Sequence, residues 1–127
     1  MPVRQEIDVG REVVVVVFSG EVTLAEVRAN LEAFRRDSRV RPHFRTLVDC
    51  SEAVVVGSGF DDAIVLADFY RSANATPMTG RTALYAPQRN AVYGALRQFH
   101  AVIGEEGRMR VFTELAEARA WVGLLPA

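Results

Sequence analysis

A cysteine, an aspartate and a histidine are the residues that come nearest to a catalytic nucleophile with its base. Cys50 follows Asp49 directly, and His43 lies a few positions earlier. A cysteine nucleophile needs a lowered pKa and an imidazole within hydrogen-bond reach. His43 and Cys50 would stand ~20 Å apart along an extended strand, although a turn after Pro42 would shorten that distance. We therefore expect Cys50 to be a small buried residue, because free cysteine commonly packs as one.

The other titratable residues form no metal-binding or acid–base motif. His100 lies beside Phe99 in a predicted helix, which favours a packed or surface imidazole over a metal ligand. The sequence contains neither HxxxH nor CxxC spacing. The carboxylate pairs Asp61-Asp62 and Glu105-Glu106 are adjacent in sequence, so the side chains within each pair diverge. We expect no metal, no cofactor and no catalysed reaction.

Two segments have residue types that bind anions. Five arginines lie between Arg35 and Arg45, at the end of a predicted helix, where positive side chains favour the helix dipole and stay solvated. An ordinary basic helix end is favoured there over a binding patch. Gly57-Ser58-Gly59 precedes another predicted helix, whose free amides would attract negative charge. Asp61 and Asp62 already fill that role, and the sequence has no Walker lysine or GxGxxG pattern, which argues against a nucleotide site.

Composition restricts the class of protein further. The chain has 127 residues, half of them hydrophobic and 24% charged, which is typical of a single globular domain spanning residues 1–127. The net charge of −1 offers no global field for nucleic acid, and a single cysteine excludes a disulfide framework. The longest apolar run, Val13 to Phe18, is too short to span a membrane, and Arg4, Glu6 and Asp8 oppose a signal peptide. These features indicate a cytoplasmic protein.

The elements in the first half of the chain are defined by local signals. Arg4–Asp8 and Val13–Phe18 flank a turn and predict a β-hairpin, whose valine-rich second strand should be central and covered on both faces. Ser19-Gly20 predicts the end of that strand. Thr23 and Glu26 fit a capping box for a helix that lasts to about Arg36. A short strand follows at Arg45–Asp49, while residues 54–56 fit either a strand or a buried loop.

Strands and helices alternate through the second half of the chain. A helix is predicted from Asp61-Asp62, a strand at Arg81–Ala86, a helix starting at Pro87 and ending at Gly104, and a strand at Met109–Phe112. Thr113 is the predicted cap of a last helix, with Leu115, Ala118 and Val122 facing inward and Trp121 flanking that stripe. The fold class is therefore α/β: a single-layer mixed sheet of about five strands that opens with a hairpin and packs with about four helices.

Three segments, spread over most of the chain, resemble the STAS-like superfamily. They are Val14-Val15-Val16-Val17-Phe18-Ser19-Gly20-Glu21-Val22-Thr23, Thr46-Leu47-Val48-Asp49-Cys50-Ser51, and Val111-Phe112-Thr113-Glu114-Leu115-Ala116-Glu117-Ala118-Arg119-Ala120-Trp121. This superfamily includes bacterial anti-sigma-factor antagonists and small STAS/SEC14-like proteins, and the second group is more similar to this chain. The resemblance implies a non-enzymatic domain that binds a protein partner or, as the alternative, a small apolar or lipid-like ligand. The sequence does not decide whether the domain forms a homodimer.

The resemblance also points to a phosphorylation site. In the antagonists a serine in an Asp-Ser-Ser/Thr-Gly turn is phosphorylated, and Ser58-Gly59 is the best local match, although Val56-Gly57 replace the Asp-Ser. We predict the partner or ligand surface at Ser58, Gly59, Phe60, Asp61 and Asp62. Phe60 would present an apolar side chain there, or would instead fasten the helix start to the core. Phosphorylation of Ser58 would add nearly two negative charges beside Asp61 and Asp62.

Overall fold

The hairpin at the start of the chain is present in the structure, a computed structural model that describes residues 3–55, 79–104 and 107–124. Strand β1 (Val3–Asp8) pairs antiparallel with β2 (Val13–Val22). In the turn between them, the Asp8 carboxylate accepts a hydrogen bond from the Arg11 amide at 2.9 Å. Glu12 has a φ of 59°, and its amide donates to the Val9 carbonyl at 3.3 Å. The predicted hairpin is confirmed.

Strand β2 does not end at Ser19-Gly20, as the sequence predicts, but continues to Val22. Its last residues pair in parallel with the end of β3 (Arg45–Val55). Gly20 takes a φ of 68°, a left-handed conformation that glycine adopts without steric cost. The prediction was wrong because pairing with a distant strand overrides the local turn signal. Val54 and Val55, which the sequence left between strand and loop, belong to β3.

Helix α1 (Leu24–Arg36) has the capping box that the sequence predicts. The Thr23 hydroxyl accepts a hydrogen bond from the Glu26 amide at 3.2 Å, and the Glu26 carboxylate accepts one from the Thr23 amide at 3.1 Å. Two of the free amides at the helix start are thereby satisfied. The helix ends at Asp37, whose amide donates to the Phe34 carbonyl.

The second half contains β4 (Thr82–Tyr85), α2 (Ala91–Ile103), β5 (Met109–Phe112) and α3 (Leu115–Trp121). Helix α2 starts after Pro87, because the Asn90 side chain caps the Val92 amide at 3.0 Å while residues 87–90 form a turn. Thr113 does not cap α3, since Glu114 occupies the N-cap position and makes no side-chain cap. The predicted Gly104 cap is confirmed, with a φ of 71°.

The five strands form one sheet in the order β1-β2-β3-β4-β5. All neighbours after the opening hairpin pair in parallel, as the alternation of strands and helices predicts. The mixed α/β class is therefore confirmed. Three helices lie within the described residues, whereas the predicted helix that starts at Asp61-Asp62 falls outside them. In the described part of the chain, no helix has both the length and the apolarity to cross a membrane.

Helices α1 and α2 cover one side of the sheet, which we call the first face. Val14 and Val16 of β2 lie on this face at 0% and 3% exposure. Phe34 of α1 and Val92 of α2 pack in the same buried cluster. Next to that cluster, Leu84 and Met109 of the last strands pack with further residues of both helices. The first face is therefore a buried apolar core.

Helix α3 packs on β4 and β5 on the opposite side, the second face. Val13, Leu47, Ala83 and Phe112 are buried here beneath Ala118 and Val122 of the helix and Leu124 just beyond it. Farther toward β1, Val15 and Val17 are only half-buried. Leu115, which the sequence predicts to face inward, is 37% exposed. The covering on both faces predicted for β2 is thus complete on the first face and partial on the second.

A β-bulge interrupts the pairing of β2 and β3. Val17 pairs with Asp49 and Ser19 with Glu52, so Cys50 and Ser51 together occupy the position opposite Phe18. The Asp49 carboxylate holds the bulge by accepting from the Ser51 amide at 2.9 Å and from the Ser51 hydroxyl at 2.7 Å. Bulges of this kind leave one residue outside the regular pairing and bend the strand locally.

Candidate functional site

The residues that the sequence predicts as a partner surface are not among those that the structure describes. Ser58, Gly59, Phe60, Asp61 and Asp62 all fall in the segment between residues 55 and 79. The described chain leads to this segment through Val55, the last residue of β3. The surface around Ser58, and its phosphorylation, remain predictions from sequence.

Cys50 is buried on the first face, as the sequence predicts. Its side chain is 5% exposed and packs in the same cluster as Val16 and Phe18. Burial raises the pKa of the Cys50 thiol to about 12, and the negative charge of Asp49 adds to the shift. A nucleophilic cysteine needs the opposite shift, since the thiolate is the reactive form. Cys50 is a core residue in this fold.

The two histidines have separate structural partners. The His43 ring pairs with the carboxylate of Glu12 and so connects the loop after α1 to the turn of the hairpin. Nε2 of His100 lies 2.8 Å from the Met109 carbonyl and connects α2 to β5. Neither ring is hydrogen-bonded to Cys50. Within the described ranges, no three histidine, cysteine or acidic side chains group as metal ligands.

Two of the five arginines in the Arg35–Arg45 stretch bind other groups of the protein, namely Arg39 and Arg45. The Arg39 guanidinium binds the Asp37 carboxylate through two hydrogen bonds of 3.0 and 2.7 Å. This contact lowers the pKa of Asp37 to about 2. Arg45 extends to the hairpin turn and donates to the Arg11 carbonyl at 2.7 Å. The Arg39 contact is that of an ordinary basic helix end, whereas Arg45 is the first residue of β3.

A different group of arginines surrounds the tryptophan of α3 on the second face. Arg81 stacks over the Trp121 ring, with Cζ 5.1 Å from the ring centroid, and Cζ of Arg110 lies 5.6 Å from the same centroid. Arg110 also lies 5.4 Å from the centroid of Phe112, whose ring is 5.6 Å from that of Trp121. We call Arg81, Arg110, Phe112 and Trp121 the Trp121 cluster.

Strand pairing brings the members of the Trp121 cluster together. Arg110 stands opposite Ala83 on β5, and Arg81 immediately precedes β4. Because side chains alternate along strands, both arginines project to the face that α3 covers. Arg45 precedes Thr46, the pairing partner of Thr82, and therefore lies beside Arg81 at the same end of the sheet.

The end of α3 fixes the position of Trp121. Gly123 has a φ of 83°, its amide donates to the Ala120 carbonyl, and the Leu124 amide donates to the Arg119 carbonyl at 2.8 Å. This pair of bonds is a Schellman motif, which closes a helix through a left-handed glycine. The Trp121 carbonyl accepts a hydrogen bond from Arg81 at 3.3 Å. The guanidinium of Arg45 packs against Gly123. Positive charge at this helix end also favours the helix dipole.

Within the described ranges, the guanidinium groups of the Trp121 cluster have no anionic partner. Among the described residues, no carboxylate forms an ion pair with Arg81 or Arg110. Both side chains are exposed, and Arg110 has no hydrogen bond in this part of the structure. Stacking on an aromatic ring holds a guanidinium plane in place while its edge N–H groups stay free to donate. The cluster can thus accept a planar anion such as a carboxylate at little further cost in ordering.

Sequence reasoning did not find the Trp121 cluster. Its members come from three separate elements, and only the strand alternation around Arg81 and Arg110, combined with the strand order, places them together. The available signal was Trp121 itself, an amphipathic aromatic residue at the edge of the buried stripe of the last helix.

Comparisons with known proteins identify no family for this chain. No model of a known protein family matches it, and no curated protein matches it either.

Proposed function

We propose that this chain is a STAS-like, non-enzymatic binding domain that acts through protein–protein contacts, with the second face of the sheet as its contact surface. The partial cover on that face is the observation that carries the proposal. Helix α3 packs on β4 and β5, and it leaves Val15 and Val17 of β2 half-buried. The first face has its corresponding valines almost completely buried under two helices.

The composition of the second face supports a protein partner. Tyr85 and Trp121 are half-buried there, and Arg81 and Arg110 are exposed beside them. Tyrosine, tryptophan and arginine are enriched among the residues that contribute most to protein–protein binding. The stacking of Arg81 and Arg110 on Trp121 restricts the rotamers of these side chains before a partner arrives, which lowers the entropy cost of association.

The buried thiol supports a binding role rather than a catalytic one. Cys50 is the residue of this sequence best suited to nucleophilic chemistry, and its pKa of about 12 keeps it protonated at neutral pH. The resemblance to STAS-like proteins, whose members mostly bind proteins or small ligands, agrees with this role.

Site-specific photo-crosslinking in the native host tests the proposal. A photoreactive amino acid replaces Val17 on the second face or, as the matched control, Gln98 on the exposed surface of α2. We expect a discrete crosslinked protein from position 17 and none from position 98. A product of twice the chain's mass would identify the partner as a second copy. Identical patterns at both positions, or no product at position 17, would contradict the proposal.

A further inference from the structure

Positive charge is concentrated at the Trp121 cluster. Two guanidinium groups lie within 5.1 and 5.6 Å of the centroid of one indole ring, and neither pairs with a carboxylate of the described residues. Like charges that converge on a single ring repel one another, and a bound anion would remove that repulsion. Arg45, at the same end of the sheet, adds a third positive charge.

The exposure of the Trp121 cluster indicates which class of anion fits it. Arg81 and Arg110 are both exposed, so the cluster forms a surface rather than an enclosed pocket. Sites for small molecules usually bury most of their ligand, whereas an extended chain binds on open surfaces. The net charge of −1 gives no broad positive field that would hold nucleic acid or an anionic membrane. A local cluster of arginines next to an aromatic ring instead fits carboxylates that are separated by apolar side chains.

We infer that the Trp121 cluster binds an acidic segment of the partner protein, with aspartate or glutamate carboxylates on Arg81 and Arg110 and an apolar side chain against Trp121. This inference rests on the proposed function, because it assigns the chemistry of the partner for the same face. The free edge of Arg110 can form two parallel hydrogen bonds to one carboxylate. Arg81 uses one N–H group on the Trp121 carbonyl and keeps its others for the ligand.

The first experiment measures binding of a defined probe to the full chain. The probe is a short fluorescein-labelled peptide of glutamates on both sides of one leucine, and its twin contains glutamine in place of each glutamate. Anisotropy reports binding, and Trp121, the single tryptophan of the sequence, reports occupancy of the site by its fluorescence. We expect the glutamate peptide to bind, to change the Trp121 emission and to weaken as salt is added. The glutamine twin should bind about tenfold more weakly or worse.

Matched variants assign the binding to the cluster. Arg110→Gln should weaken binding of the glutamate peptide about tenfold, and Arg110→Lys should restore it only in part, because lysine keeps the charge but loses the planar pair of donors. Arg97→Gln is the control, since Arg97 is an exposed arginine that stacks on Tyr93 of α2, 5.8 Å from its ring centroid. It should leave binding unchanged. Equal affinity for the two peptides, or equal loss in Arg97→Gln, would overturn the inference.

Other anions provide a second way to overturn it. Phosphatidylglycerol vesicles, single-stranded RNA and inorganic phosphate are tested on the same chain at the same salt concentration. Binding of any of these tighter than that of the glutamate peptide, and lost in Arg110→Gln, would assign the cluster to that anion instead.

Crosslinking from position 17 in an Arg110→Gln background separates the two proposals. If the crosslinked partner persists in that background and in high salt, the second face binds a protein but the acidic-segment inference fails. If position 17 gives no crosslink while the glutamate peptide still binds through Arg110, the cluster is confirmed and the proposed contact surface fails.

Discussion

The two faces of the sheet differ most clearly within β2. Val14 and Val16 are 0% and 3% exposed on the first face, whereas their neighbours Val15 and Val17 remain half-buried on the second. Among the described residues, helices α1 and α2 provide the first face with aliphatic and aromatic side chains, whereas the second face has one short helix and a group of arginines. Both faces therefore contribute a buried core, and within β2 only the second face keeps part of its valine surface accessible.

The largest expected effect comes from a carboxylate on each face of β2. Val16→Asp would bury an unpaired charge in the first-face core and cost several kcal/mol, which rivals the whole stability of a small domain. Val17→Asp should cost about 1–2 kcal/mol, because its carboxylate would stay in contact with solvent and stand opposite Arg4 of β1. Urea denaturation followed by circular dichroism measures both. Equal destabilisation would show that the second face is as closed as the first.

The buried thiol of Cys50 should make the stability contributed by the first face depend on pH. The ordinary thiol pKa is 9.0 and burial raises that of Cys50 to about 12, so above pH 9.0 the unfolded chain releases a proton that the folded chain retains. The free energy of unfolding should therefore fall as the pH rises from about 9 toward 12. The loss should reach about 2 kcal/mol near the middle of this range, at 1.36 kcal/mol per pH unit. Cys50→Ala removes the titrating group and should show a shallower decline, and parallel curves for the two proteins would contradict the prediction.

The glycines that end α2, on the first face, and α3, on the second face, should differ in the cost of substitution by alanine. Both have positive φ values, 71° for Gly104 and 83° for Gly123. A methyl group on Gly104 would meet no atom within 4 Å, so Gly104→Ala should cost about 1 kcal/mol from backbone strain alone. Gly123→Ala adds a collision with the Arg45 guanidinium and should cost more. Thermal unfolding measures both, and an equal loss would mean that Arg45 is not held against the end of α3.

The smallest stability effect is expected from the arginines of the Trp121 cluster. Arg110 contacts two aromatic rings but has no ion pair among the described residues, so Arg110→Gln should lower the free energy of unfolding by about 0.5–1 kcal/mol. Loss of peptide binding with this small stability change would separate binding from folding on the second face. A loss of several kcal/mol would instead make Arg110 a structural residue.

The parts of the fold that follow from local chemistry could be predicted from the sequence. The Thr23–Glu26 capping box, the hairpin turn and the Gly104 cap depend on residues within a few positions of one another. The valine run of β2 indicated a central strand because its lack of alternation requires cover on both sides.

The remaining features depend on contacts between distant residues. Strand β2 passes through Gly20 because β3 pairs with it, and the Asn90 side chain, which starts α2, also donates to the Ser51 carbonyl of β3 at 3.3 Å. The Trp121 cluster joins residues 81, 110 and 121, whose proximity depends on the strand order. The hydrophobic periodicity of the sequence predicts individual strands and helices, but it does not predict the order of the strands in the sheet.

The bulge in β3 has a consequence for how this strand should be compared with others. Cys50 and Ala53 both lie in the first-face core although Ala53 is the third residue after Cys50. In a regular strand, side chains three positions apart point to opposite faces. Ser51 therefore amounts to an absorbed insertion: removing it would return the strand to simple alternation and keep every later side chain on its present side. An alignment of β3 with an unbulged strand should therefore place its gap at Ser51. The residues after Ser51 then align with positions of the other strand that point to the same face of the sheet.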